Sequence, residues 1–280
     1  MFDFFANIFG YMLEAIYNVV NNYGIAIIIF TIIVKLVMLP ISIKQQKTMK
    51  KSAKMQVKIK EIQEKYSNDQ VRQSQEMMDL YKKENMSPFS GCLSSIVQFI
   101  LILSVFYLVS KPLTYMKHID STLLDNYATQ ITEETGETLR YREIAIIKEK
   151  GSVDENVYLN MNFLGLDLSD IPSQNYTNWK VYVIPGLYVL TSIFSMRLTT
   201  SMNKKSKEEK EKENKDKEKD KEQDAMEEMN KQMNMMMPIM AVSIACIAPL
   251  GLALYWLISN IMMILERLVI NKFVNDEEEA

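Results

Sequence analysis

Two cysteines and a single histidine in 280 residues leave little material for metal or thiol chemistry. Cys92 and Cys246 both sit at or within apolar runs, where a thiol behaves as a small hydrophobe, so no disulfide is assigned. His118 stands alone in a polar loop, and no His/Cys set has metal-ligand spacing, so neither a metal nor a cofactor is expected. No motif assembles a nucleophile, a base and oxyanion donors, which sets an enzyme aside. The first 24 residues carry Asp3 and Glu14 but no basic residue, so no cleavable signal is expected. Charge is nearly missing from the windows near 25–43, 92–110, 179–198 and 235–270. Conversely, 203–224 holds no apolar residue at all and reads as a flexible connector or a solvated, partly helical Lys/Glu segment.

The apolar windows set the class. A helix needs about 20 apolar residues to cross a hydrocarbon core, and lipid tolerates no unpaired backbone, so these runs read as membrane-spanning helices. The last is too long for one crossing, and Ala248-Pro249-Leu250-Gly251-Leu252 breaks it into two short spans that would thin the bilayer locally. The expected fold is therefore all-α: a five-helix transmembrane bundle with a cytoplasmic helical hairpin and an N-terminal interfacial amphipathic helix. Its spans are 24–43, 92–110, 179–198, 235–248 and 252–271.

Loop charge orients the bundle, because Lys and Arg are retained on the cytoplasmic side. Residues 44–91 hold eleven Lys/Arg against six Asp/Glu, whereas 111–178 hold six against eleven. The 44–91 segment is thus expected inside, with the charged loop 199–234 and the acidic tail 272–280. The N-terminus and 111–178 are expected outside. Within 1–23, Phe2, Phe4, Phe5, Ile8, Phe9, Met12, Leu13, Ile16 and Tyr17 recur at helical spacing, as in a helix lying on the outer surface. In 44–84, Met55, Ile59, Ile62 and Tyr66 form one stripe, and Val71, Met78 and Tyr81 form a second. Ser67-Asn68-Asp69 between them supplies turn and N-cap chemistry.

Lys35 is the lone cation of the run 25–43. A charge at the middle of a lipid-facing helix costs about 2.5–3.5 kcal/mol on insertion scales, so such a group normally faces protein or water. Thr31 shares its helix face. Gln98 in the second span, Ser192 and Ser195 in the third, and Tyr255, Trp256, Ser259 and Asn260 in the fifth offer further polar groups that could line a wet cavity with it. Periodicity leaves a second reading open, in which Lys35 snorkels to the nearer interface. The serines and Thr31 are equally suited to bonding their own helices, and Tyr255 and Trp256 to anchoring at an interface.

Three blocks resolve the choice by resemblance. YGIAIIIFTIIVKLVMLPISIKQQKTMKK, EIQEKYSNDQVRQSQEMMDLYKKENMSPFSGCLSSIVQFILILSVFYLV and MMPIMAVSIACIAPLGLALYWLISNIMMI, with NFLGLDLSDIP before the third span, resemble the YidC/Oxa family of membrane protein insertases, bacterial YidC type. The resemblance implies five core helices around a hydrophilic groove that is open to cytoplasm and lipid and closed to the outside. It also implies a charged groove residue at Lys35 that attracts the translocating segment, and a hairpin near 44–84 that helps recruit substrates. The implied partners are nascent membrane proteins and the lipid of a bacterial plasma membrane, with the secretion channel and ribosome as further candidates. A monomer would suffice, and no nucleic-acid recognition is implied.

Departures from the family pattern are specific. The charged residue is usually Arg, Gln98-Phe99 stands where Met-Pro usually follows the Gln, and Ser195-Met196 stands where a Gln pair is frequent. The acidic tail, Asp276 to Glu279, argues against a ribosome tether. The competing function is a small-anion transporter or channel using the same intramembrane lysine, and a third reading is a membrane scaffold.

Overall fold

In the computed structural model, residues 2–84, 90–136, 138–213 and 243–278 are described. They are mostly helical. Helix α1 (Phe2–Val20) buries Ala6, Gly10, Leu13 and Tyr17, a 4-3-4 spacing that turns one face inward. Phe4, Ile8 and Tyr11 stay exposed on the opposite face. Asn22 caps α2 (Tyr23–Lys65) by accepting the Ile25 N–H at 3.1 Å. Tyr23, Ala26, Ile27, Phe30 and Thr31 form the buried face of α2, while Leu36, Val37 and Ile41 are exposed.

Helix α2 passes through Pro40 without ending. The expected first span and the first helix of the 44–84 segment are therefore one rod, where the sequence reading divided them at residue 43. Proline removes one backbone donor, but the residues after it are good helix formers, and no glycine or capping residue stops the rod before Tyr66. The chain turns at 66–69. Asp69 caps α3 (Gln70–Lys83) by accepting the Arg72 N–H at 3.0 Å. Helix α3 returns along α2, tied by Tyr66–Glu76 at 3.3 Å and Lys58–Glu84 at 2.6 Å.

Helix α4 (Ser90–Ser110) packs Val105, Leu108 and Val109 into the core against α1 and α2. A one-turn helix, α5 (Pro112–Tyr115), follows, then α6 (Ser121–Thr135) and α7 (Arg142–Lys150). Asp120 caps the start of α6, and Gly136, at φ 69°, ends it. The α6–α7 pair buries Leu124, Ile131, Ile144 and Ile147, with ion pairs Arg142–Asp125 and, at 3.1 Å, Lys150–Glu134.

An antiparallel hairpin follows, β1 (Asn162–Phe163) with β2 (Leu166–Asp167), pairing Asn162 with Asp167 and Phe163 with Leu166. This small sheet departs from an all-α chain. Leu164 and Gly165 both adopt positive φ, 53° and 78°, which reverses the chain in two residues.

A 3-10 turn (Trp179–Tyr182) leads into α8 (Val183–Glu213), whose backbone stays helical well into the charged stretch expected from residue 199. Residues 243–247 are helical, the chain breaks at Ala248-Pro249, and α9 (Leu250–Glu278) begins. Most of the expected fourth span, 235–242, lies outside the described residues. Among the described residues, three helical stretches are long and apolar enough to cross a bilayer: Tyr23–Gln45, Trp179–Leu198 and Leu250–Ile270. The described apolar part of α4 is shorter, Phe99–Ser110.

The 111–178 segment lies on one end of these spans. Asn160 accepts the Tyr23 N–H through its carbonyl at 3.0 Å, and the Leu168 and Asp170 carbonyls accept the Gly251 and Leu250 N–H groups, each at 2.9 Å. A helix start leaves amide donors without intrahelical partners, and α9 meets part of that need here.

Candidate functional site

Helix α9 packs along both α2 and α8. Asn260, 6% exposed, donates from Nδ2 to Thr191 Oγ1 at 3.1 Å and to Ser192 Oγ at 3.0 Å. Two turns further along α9, Arg267 Nη1 donates to Ser195 Oγ at 3.4 Å. The α8–α9 contact is thus a polar seam, with Thr191, Ser192 and Ser195 on one side and Asn260 and Arg267 on the other.

Lys35 is half-buried on α2, one turn beyond Thr31. Its ammonium lies within electrostatic reach of Glu266 and Arg267, so the fields of two cations and one carboxylate overlap where α2 faces α9. Their formal sum is one positive charge.

The remaining expected residues divide. Thr31 is buried, and its hydroxyl donates to the Ile27 carbonyl of its own helix at 2.7 Å, the back-bonding that Thr offers in apolar helices. Trp256 stacks against Tyr188 with ring centroids 6.3 Å apart, which makes it part of the α8–α9 packing. Ser259 Oγ is buried and makes no hydrogen bond of standard geometry, and the Tyr255 hydroxyl one turn earlier on α9 interacts with it. Gln98 belongs to α4, but its side chain lies outside the described residues.

Sequence reasoning passed over Glu266 and Arg267. The signal was present, since both interrupt the apolar run that closes with Ile270. They were absorbed into the end of the run, although an ionisable pair inside a span is the same signal that drew attention to Lys35.

At the other end of the bundle, Glu143 is 2% exposed and accepts the Thr114 N–H at 2.9 Å and the Thr114 hydroxyl at 2.5 Å. Burial pushes its carboxyl above the ordinary range, against the pull of those hydrogen bonds. Tyr115 donates its hydroxyl to Asp3 at 2.5 Å, which fastens α5 to α1. These contacts tie the 111–178 segment to the bundle.

The family model described as "60Kd inner membrane protein" matches residues 15–278. Similar curated proteins carry the name membrane protein insertase YidC. The relative from Wigglesworthia glossinidia brevipalpis is 44% identical over 99 residues, which are 35% of this chain and 18% of the relative. That from Syntrophus aciditrophicus is 47% identical over 103 residues, 37% of this chain and 18% of the relative. That from Francisella tularensis subsp. novicida is 36% identical over 109 residues, 39% of this chain and 20% of the relative. The aligned part therefore spans a small share of each relative's length.

Proposed function

This chain belongs to the 60Kd inner membrane protein family, the YidC/Oxa family, and from that premise we propose that it is a membrane protein insertase of a bacterial plasma membrane. Five spans form the working unit, with 92–110 and 235–248 added to the three long apolar helices. The N-terminus and 111–178 lie outside. The 44–84 hairpin and the C-terminal tail lie in the cytoplasm, and α1 rests at the outer interface.

The observation that carries the reading is Lys35, a cation half-buried within a span whose charged neighbours leave one net positive charge. A substrate hairpin or N-tail enters from the cytoplasm. Its polar part rests in a groove bordered by Lys35, Thr31, Gln98, Ser192, Ser195, Tyr255, Trp256 and Ser259, while its apolar part meets lipid beside the third and fifth spans. An acidic residue crossing bare hydrocarbon has no partner, whereas beside Lys35 it meets an opposite charge in a low-dielectric setting. No bond is made or broken. Release follows because the substrate helix is more stable in lipid than in a wet recess.

Nascent membrane proteins are the substrates, and the secretion channel and ribosome are candidate partners. The test is insertion of a substrate with an acidic translocated tail into proteoliposomes holding the purified protein, with and without the secretion channel. Wild type is expected to insert it and Lys35→Glu to lose most of that activity. Equal insertion by both would refute the electrostatic mechanism. Anion flux through the same vesicles without substrate would favour a transporter instead.

A further inference from the structure

The two-residue turn of the β1–β2 hairpin carries the wrong residue for a turn in water. Its first position is in the left-handed region, φ 53°, where Asn followed by Gly is the favoured pair. Here the pair is Leu164-Gly165, and Leu164 is 87% exposed. A large apolar side chain on strained backbone, held out from its own fold, is costly twice over in an aqueous setting.

The position of the hairpin gives the reason. Asn22 Nδ2 donates to the Asn162 carbonyl at 2.7 Å, and the Phe163 ring lies against Gly24, so β1 is level with the first turn of the apolar stretch Tyr23–Gln45. Immediately after β2, the Leu168 carbonyl accepts from Gly251 in the first turn of Leu250–Ile270. The hairpin therefore bridges the starts of two spans at one membrane surface. Val19, 84% exposed, lies two residues before Asn21, whose carbonyl accepts from Asn160 Nδ2 at 3.0 Å. Tyr176 and Trp179, also exposed, sit at the start of the third apolar stretch, Trp179–Leu198. Aromatic side chains in such positions mark the boundary between headgroups and hydrocarbon.

We propose that Leu164 is a lipid anchor: the hairpin tip seats in the leaflet at which α2 and α9 begin, and so holds the 111–178 segment on the ends of the spans. The occupant is the bilayer itself, because the tip lies at the level where the apolar stretches Tyr23–Gln45 and Leu250–Ile270 enter it. The inference rests on the membrane reading of the chain but not on the insertase mechanism.

The test uses the full chain with Cys92 and Cys246 replaced by Ala and one new cysteine carrying an environment-sensitive fluorophore, in phosphatidylcholine/phosphatidylglycerol vesicles with or without nitroxide-labelled lipid. Leu164→Cys is expected to give blue-shifted emission and about threefold stronger quenching by nitroxide lipid than Glu155→Cys, which lies on an exposed polar turn of the same segment. Val37→Cys, on the exposed face of α2, reports the membrane itself. Water-like, unquenched emission at 164 with strong quenching at 37 would overturn the anchor alone. A blue shift at 164 without lipid quenching would mean protein contact and would overturn it as well. Loss of quenching at both positions would remove the membrane reading and the anchor together.

Discussion

Gly24 lies directly beneath Phe163, so close that a Cβ at residue 24 would stand 2.6 Å from ring carbon Cδ2. That contact joins the first turn of α2 to the β hairpin and can be made only where residue 24 has no side chain. Gly24→Ala forces the hairpin to shift and is expected to destabilise the protein by about 1–3 kcal/mol, the usual range for overpacking. Phe163→Ala in the same chain removes the obstructing ring. The double variant is therefore expected to melt above the value that the two single losses sum to, since residues in contact couple. Additive losses would mean that the two groups do not touch.

Glu143 is a buried carboxyl whose folded proton affinity exceeds its ordinary one. The sign follows directly. A raised folded pKa gives stability that is complete below the ordinary carboxyl range and is lost as pH rises through the folded value. Glu143→Gln keeps acceptor and donor atoms for Thr114, whose hydroxyl can turn to accept, and it is expected to flatten that pH dependence. Glu143→Ala strands the Thr114 N–H, a loss of about 1–3 kcal/mol for a buried unpaired donor. Thermal melts of the three proteins from mildly acidic to neutral pH separate these outcomes.

How much of this was legible in the sequence depends on the range of the interaction. The apolar runs that become Tyr23–Gln45, Trp179–Leu198 and Leu250–Ile270 are local patterns, and composition alone exposes them. The chemistry of Asp69 as a cap before Gln70 was equally local. In contrast, Arg267 meets Ser195 across 72 residues of chain and Asn22 meets Asn162 across 140, and no spacing rule reaches that far. The segment 111–178 read only as a charged loop expected outside. Its helices α6 and α7 are short and pack mainly on each other, with Leu124 and Ile147 among the few apolar positions that set their faces. Thr31 was local in another way: its position left open whether it would line a cavity or bond its own helix, and its hydroxyl donates to the Ile27 carbonyl.

Asn260 is the buried amide that joins α9 to α8, and its two acceptors are hydroxyls. Thr191 also donates to the Tyr188 carbonyl at 3.0 Å, so it keeps a partner when the amide is removed. Asn260→Leu is therefore expected to cost only about 0.6–1.7 kcal/mol, as for other hydrogen bonds between membrane helices. Asn260→Asp, which places a carboxyl in the same site, is expected to cost more. Denaturant unfolding in mixed micelles measures both, and an Asn260→Leu loss well above that range would show that the amide holds more than this seam.

Glu266 offers the sharpest test of the charge relation around Lys35. Its carboxylate is the internal counterpart of the acidic group that an incoming substrate would present, and it offsets part of the positive charge of Lys35 and Arg267. Glu266→Gln raises the local sum from one positive charge to two, so insertion of substrates with acidic translocated tails is expected to rise about two- to tenfold, a gain of roughly 0.4–1.4 kcal/mol at 1.4 kcal/mol per decade. Substrates with neutral tails are expected to be indifferent. Lys35→Arg keeps the charge and is expected to retain activity, although its planar fork changes how the cation is shared with Glu266. If Lys35→Glu is inactive because of charge alone, adding Glu266→Lys restores the local sum and is expected to recover part of the insertion. The same double variant inserting no more than Lys35→Glu would place the requirement in the lysine's position on α2 and not in the charge at this junction.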